Sequence, residues 1–224
     1  MSAVGQPYVR AVLWDMDGTL MDSQPLWDAS FQRRCETLGG TVTPEQVAQL
    51  KGASILRSRE IIADTGATSG PDDPLTEEIF SGMAADVREA VAANPPLLPG
   101  AQEITSSLCE AGLAQVIVTQ SPRPIVESVA HALGDVFAYL VTGDDVSSGK
   151  PGPAPYGRAI ELLELSAHEC VAVEDSATGA APARSNGVHV IQIGGEKHFP
   201  ADPGLVVVPD LRHVTPHLLL WARR

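Results

Sequence analysis

Six short runs of apolar, mostly β-branched residues constrain this chain more than any other feature. They lie at 9–14 (ending in Val12, Leu13 and Trp14), 115–119, 138–141, 170–173, 188–193 and 205–208. Each is too short and too continuously apolar for an amphipathic surface helix, and reads as a strand buried on both faces. Beyond Gly100 these runs alternate with helical segments: 121–133, opened by Ser121 and Pro122, then 153–165, then 176–185, opened by Ser176. Doubly buried strands alternating with helices imply a parallel sheet covered on each side. The expected fold class is α/β, with a Rossmann-like doubly wound parallel sheet as its core.

Between residues 22 and 93 the strand-like runs vanish and helical periodicity takes over. Pro25 to Leu38 reads as one helix, stopped by Gly39 and Gly40. Thr43-Pro44-Glu45-Gln46 has the residues of a capping box, with proline at the first helical position. Asp73 and Pro74 open another helix that runs to about Ala93. The segment from Asn94 to Gly100, with Pro95, Pro96 and Pro99, then makes a stiff connector. The expected organisation is a core domain of residues 1–22 and 95–224, with an α-helical cap of residues 23–94 inserted after the first strand.

Charge narrows the partners. Lys and Arg total 15 against 28 Asp and Glu, a formal net charge of −13. So acidic a surface repels phosphodiester backbones and anionic lipids, which argues against nucleic acid or a membrane as the main partner. A small anionic substrate remains compatible, because one local lysine or metal ion reverses the field in a cleft. Cys35, Cys109 and Cys170 form no CxxC pair and are odd in number, so buried thiols of a reducing compartment are expected. Met1 to Pro7 lacks the regions of a signal peptide, and no apolar run approaches the roughly 18 residues of a bilayer span. A soluble cytoplasmic protein is expected.

In an open parallel sheet, ligands bind beyond the carboxyl ends of the strands. The first run is followed by Asp15, Asp17 and Gly18, and the second ends in Thr119. Lys150 closes the loop after the third, and Glu174 and Asp175 follow the fourth. Four carboxylates, a hydroxyl and a lysine therefore converge on one sheet edge. Two unit charges 4 Å apart repel by about 4 kcal/mol at an effective dielectric of 20, so such a cluster calls for a cation. All-oxygen ligands point to Mg²⁺ rather than zinc. Lys150 would supply a second positive charge for a phosphate, and Gly18 would let backbone amides approach it. An EF-hand needs glycine where Leu20 stands, and a P-loop needs a hydroxyl where Pro151 stands. His213 and His217 have ligand-like spacing but no partner cysteines. Glu174-Asp175-Ser176 also suits a simple helix start, with Asp175 or Ser176 as the cap.

These motifs resemble those of the haloacid dehalogenase superfamily. Asp15-Met16-Asp17-Gly18-Thr19-Leu20 is similar to its first motif and Thr119 to its second. Gly149-Lys150-Pro151, with Pro153, Pro155 and Tyr156, is similar to the third, and Glu174-Asp175-Ser176, with Gly179 and Ala180, to the fourth. The insertion resembles the small helical cap of the subgroup holding β-phosphoglucomutase, phosphoglycolate phosphatase and sugar phosphatases. The resemblance implies that Asp15 is the nucleophile and Asp17 the general acid and base. It implies that Thr119 and Lys150 hold the phosphoryl oxygens, with Gly18 and Gln120 beside them at the substrate. Asp15, the Asp17 carbonyl and Asp175 would bind Mg²⁺, with Glu174 a ligand or a partner of one. Asp17 separates this chain from the dehalogenases, which lack it because departing halide needs no proton. A non-catalytic relative would usually have lost one of these acids, and none is missing.

The implied function is a Mg²⁺-dependent phosphatase of a small phosphorylated metabolite, acting as a monomer or weak homodimer. The stretch from Asp22 to Asp28 resembles hexose-phosphate phosphatases of the 2-deoxyglucose-6-phosphatase type. The alternative is a phosphomutase. β-Phosphoglucomutases, however, carry histidine where Trp27 aligns and arginine where Ile55 follows Gly52-Ala53-Ser54. Trp27 reads equally well as a core aromatic of a cap helix.

Overall fold

The computed structural model describes residues 9–51, 53, 55–146, 148–194 and 205–221. Met1 to Pro7, Gly52 and Ser54, used above, lie outside them. The elements in chain order are β1 (Ala11–Trp14), α1 (Gln24–Thr37), α2 (Pro44–Leu50), α3 (Ile55–Asp64), α4 (Pro74–Ala93), α5 (Ala101–Glu110) and β2 (Ala114–Val118). They continue with α6 (Arg123–Ala132), β3 (Tyr139–Val141), α7 (Ala154–Leu163), β4 (Cys170–Glu174), α8 (Ala177–Ser185), β5 (His189–Ile193), β6 (Leu205–Val208) and α9 (Pro216–Trp221). The chain divides into two units, Met1–Asp22 with Pro95–Arg224, and Ser23–Asn94.

In the first unit the strands form one sheet in the order β3-β2-β1-β4-β5-β6, parallel throughout. All four residues of β1 and all five of β4 are buried, because helices cover both faces. Alternate residues share a face. Ala11 and Leu13, Val116 and Val118, and Cys170 and Ala172 gather with Tyr156 and Ala159 of α7 and Ala180 and Ala183 of α8. On the opposite face Trp14 Nε1 donates to Gln115 Oε1 at 3.0 Å, and Gln115 Nε2 donates to the Thr105 carbonyl of α5 at 2.8 Å. That chain of bonds satisfies an amide that would otherwise be costly to bury. The proline-rich connector is itself paired: Asp22 N–H donates to the Pro96 carbonyl at 3.0 Å and Leu98 N–H to the Leu20 carbonyl at 2.9 Å.

Among the described residues, the regular elements of the second unit are all helices. Thr43 Oγ1 accepts from Gln46 N–H at 3.2 Å, and Gln46 Oε1 accepts from Thr43 N–H at 2.9 Å, the reciprocal capping expected for α2. Asp73 caps α4 through Leu75 N–H at 2.9 Å. Phe31, Cys35, Ile61, Ile62, Ile79 and Met83 form this unit's own core, and Trp27 packs partly buried against it. Asp86 of α4 accepts from Ser30 Oγ at 2.5 Å and from two Arg34 nitrogens at 2.7 and 2.8 Å, fastening α1 to α4. Arg33 bonds the same carboxylate.

Two expectations need correction. Cys109 is exposed rather than buried, because α5 turns Ile104, Thr105 and Leu108 inward and leaves Cys109 on its outer face; none of the three cysteines is in a disulfide. Ser121 does not cap a helix; Pro122 takes the N-cap position of α6, and the Ser121 hydroxyl is used elsewhere. Among the described residues no helix is long and apolar enough to cross a membrane.

Candidate active site

The order of strands reverses between β1 and β4, the place where an open parallel sheet leaves a crevice. Asp15 is the first residue past β1; its N–H still donates to the Val173 carbonyl at 3.0 Å, so it is anchored to β4. The chain then curls. Met21 N–H donates to the Met16 carbonyl at 3.1 Å and Gly18 N–H to the Met21 carbonyl at 2.8 Å. This turn needs φ +88° at Gly18, and a Cβ there would also collide with the Asp175 carboxylate. Glu174 is the last residue of β4, and Ser176 caps α8 by accepting from Gly179 N–H at 3.2 Å. The cap is thus Ser176, and Asp175 stays with the acidic cluster.

Lys150 comes from the loop before α7 and is nearly sealed, its side chain 5% exposed. Its Nζ donates to Asp15 Oδ1 and to Glu174 Oε1, both at 2.6 Å. Glu174 Oε1 also accepts from the Tyr156 hydroxyl at 2.5 Å. Burial pulls the Lys150 pKa down, but the Asp15 and Glu174 charges outweigh it and leave the ammonium raised above its ordinary value. Burial first, then the Asp15 charge, pushes the Glu174 carboxyl up, against Lys150 and Tyr156. The Tyr156 phenol is raised by burial and by Glu174, so it stays a donor.

The residues present suit a hard divalent cation. Oxygens of Asp15, Glu174 and Asp175 lie within 4.8 Å of one another. Asp15 Oδ2 and Glu174 Oε2 are buried with no hydrogen-bond partner, a costly state for carboxylate oxygens unless a positive charge meets them. Lys150 offsets one of the three negative charges and leaves two. The donors are all oxygen, as Mg²⁺ requires.

Asp17 is held apart from this cluster. Its Oδ2 accepts from Ser121 Oγ at 2.6 Å and lies 3.5 Å from Thr119 Oγ1. Thr119, the residue after β2, in turn accepts from Ser121 N–H at 3.1 Å. Of the sequence-derived candidates, Asp15, Lys150, Glu174 and Asp175 come together directly, and Asp17 and Thr119 form a hydroxyl-bonded pair beside Ser121. Two candidates have other partners. The Gly18 N–H is spent on Met21, so glycine serves here by its φ and its missing side chain. Gln120 Nε2 donates to the Lys150 carbonyl at 2.8 Å and ties the two loops together.

Sequence reading missed Ser121 and passed over the chemistry of Tyr156. Ser121 stands two residues beyond the strand-end Thr119, and its neighbour Pro122 made it look like a helix cap. For Tyr156 the available signal was a hydroxyl-bearing aromatic at the start of the helix that follows Lys150, where phenylalanine would fill the core equally well.

The chain matches the haloacid dehalogenase-like hydrolase family over residues 9–187. Hexitol phosphatase A of Escherichia coli (strain K12) is 32% identical over 195 residues, covering 85% of this chain and 86% of its own. A phosphoglycolate phosphatase of Chromobacterium violaceum is 30% identical over 192 residues, covering 84% and 86%. Among solved structures, a HAD hydrolase of family IA, variant 3, from Entamoeba histolytica HM-1:IMSS superposes with a TM-score of 0.78 at 21% identity, over 96% of this chain and 99% of that one, a likeness of fold. With its sheet order, its acidic crevice and these relatives, the chain belongs to the haloacid dehalogenase-like hydrolase family.

Proposed function

We propose that this hydrolase is a phosphatase of a small phosphorylated metabolite, a sugar phosphate or a phosphoglycolate-like monoester, working through an aspartyl-phosphate on Asp15. The observation that carries the reading is the division of the Asp15 carboxylate: Oδ1 is engaged by Lys150 and Oδ2 is left without a partner. One oxygen of Asp15 attacks phosphorus while the other stays with the cationic groups, and the bond from phosphorus to the ester oxygen breaks. Asp17 gives its proton to the departing alkoxide, then takes one from the water that attacks the phosphoryl group and releases Asp15. Such acid–base help is worth about 10²–10⁴-fold. Thr119 and Lys150 hold the phosphoryl oxygens, the lysine offsetting charge that builds on them. Asp15, Asp175, Glu174 and the Asp17 carbonyl would hold Mg²⁺. When bound, that ion neutralises the repulsion between the Asp15 carboxylate and the incoming phosphate. The helical unit, residues 23–94, acts as the cap that chooses the substrate. The support for a monoester substrate is the chemistry named for the hexitol and phosphoglycolate phosphatase relatives.

The test is release of inorganic phosphate from hexitol phosphates, hexose phosphates and phosphoglycolate, with Mg²⁺ and with chelator. Expected is Mg²⁺-dependent release from at least one of them, abolished in Asp15→Asn, whose amide cannot attack phosphorus. Full activity in chelator, or steady turnover by purified Asp15→Asn, overturns the reading. So does conversion of β-glucose 1-phosphate to glucose 6-phosphate faster than phosphate appears.

A further inference from the structure

Tyr156 stands on the first turn of α7, and none of the roles assigned above belongs to it. Its side chain is fully buried in the cluster that packs α7 and α8 on the sheet. That environment needs a ring but not a hydroxyl. A buried hydroxyl costs free energy unless it is bonded, and this one donates to Glu174 Oε1 at 2.5 Å. The same oxygen accepts from Lys150 Nζ at 2.6 Å. The Lys150 ammonium also lies over the tyrosine ring, 5.2 Å from its centroid, within range of a cation–π attraction. One side chain therefore touches both the carboxylate and the lysine. Two donors converge on Oε1 while Oε2 is left without a partner. The space on the other side of the Glu174 carboxyl is kept by Gly179, where any Cβ would collide with it.

We infer that Tyr156 is a positioning residue of the phosphoryl-transfer site: its hydroxyl fixes which Glu174 oxygen faces Lys150 and which is left for the metal ion, and its ring holds the ammonium against Asp15. Without the hydroxyl, Glu174 keeps one fixed bond instead of two and rotates more freely about its terminal torsion. The oxygen meant for the ion is then less often in place. Groups that orient metal ligands typically change metal affinity or activity by about 10–100-fold when removed. The inference rests on the phosphatase reading for its kinetic part only.

The test is Tyr156→Phe in the full chain. Mg²⁺ alone is titrated by calorimetry into chelator-stripped protein, without substrate, and circular dichroism follows the fold. Expected is a folded variant whose Mg²⁺ Kd rises by about 10-fold or more, with kcat falling by a similar factor and KM nearly unchanged. The hydroxyl acts through Glu174, so in a Glu174→Gln background the Phe substitution should add little further change. A Mg²⁺ Kd for Tyr156→Phe within about twofold of the parent overturns the inference. An equal further loss in the Glu174→Gln background does the same, as does a parent protein that binds no Mg²⁺. A Phe variant that fails to fold counts against it too, since the hydroxyl would then serve the core. If Mg²⁺ binding weakens as expected while the parent hydrolyses no phosphate monoester, the positioning role stands and the phosphatase reading falls.

Discussion

Replacing Lys150 with Met removes the ammonium and keeps most of the stem, so the loss measured is mainly that of charge. In the native protein Nζ sits 2.6 Å from both Asp15 Oδ1 and Glu174 Oε1, with Glu174 completely buried. Removing one partner of a buried ion pair costs about 3–5 kcal/mol, because the other charge is stranded. Here two carboxylates are stranded beside each other, and at an effective dielectric near 20 their mutual repulsion is also about 4 kcal/mol. The full sum is not reached, because a stranded buried carboxylate takes up a proton instead. We therefore expect a loss of about 3 kcal/mol in chelator, or roughly 6–12 °C in Tm for a unit of this size. In the proposed reading, Mg²⁺ would supply the missing positive charge. At about 100 times its Kd it returns roughly 2.7 kcal/mol, so Lys150→Met should recover most of its Tm with the ion while its turnover stays about 10²–10³-fold down. Thermal unfolding followed by circular dichroism, in chelator and then with saturating Mg²⁺, reads both numbers. A Lys150→Met protein that melts within about 2 °C of the parent in chelator would refute the reasoning, since the lysine would not then be balancing the two acids.

Gly179→Ala tests the crowding at Glu174: helix propensity alone predicts a gain of about 1 kcal/mol, but the new Cβ collides with the Glu174 carboxyl. A lower Tm and weaker Mg²⁺ binding are expected, and a raised Tm with unchanged binding would contradict the geometry. In the helical unit, Arg34 first, then Ser30 and Arg33, hold the Asp86 carboxyl below its ordinary value of 3.8 against the effect of burial. Because the folded value is the lower one, this stabilisation is fully present above the unfolded value and is lost progressively as pH falls from there through the folded value. Asp86→Asn should therefore lower Tm by roughly 2–4 °C near neutral pH, a modest effect because Arg33 is largely exposed. The gap to the parent should shrink below pH 3.8, and an undiminished gap there would exclude the ion pairs as its source.

Strand 170–173 was legible because a strand buried on both faces has to be apolar at every position; 205–208 was legible from its valines, although as an edge strand it is only partly buried and leaves Val207 exposed. The candidate acids were legible because a parallel sheet delivers whatever follows each strand to one edge. What escaped depends on side-chain direction. Ser121 looked like a cap because of Pro122, and only coordinates reveal its hydroxyl 2.6 Å from Asp17. Cys109 looked like a buried thiol because cysteine usually is one, and the phase of α5 turns it outward. Helix α5 itself was not anticipated: it starts at Gly100 with no side-chain cap and carries Thr105, Ser106 and Ser107, weak helix formers, with the Thr105 hydroxyl bonded back to the Ala101 carbonyl at 2.9 Å.

The same feature recurs at both acids that face Lys150. Asp15 has Oδ1 engaged and Oδ2 open; Glu174 has Oε1 doubly engaged and Oε2 open. A carboxylate free to rotate would present either oxygen and would average its two roles. Here each acid keeps one oxygen on the lysine and leaves the other without a partner, where the proposed ion or phosphorus atom would arrive. Orientation set before binding is free energy that the reaction does not have to find later. It also accounts for a lysine in the middle of so acidic a chain. The formal charge of −13 would keep phosphate away from an unshielded cluster. Lys150 lowers that barrier, and in the proposed reading a second cation would complete the balance.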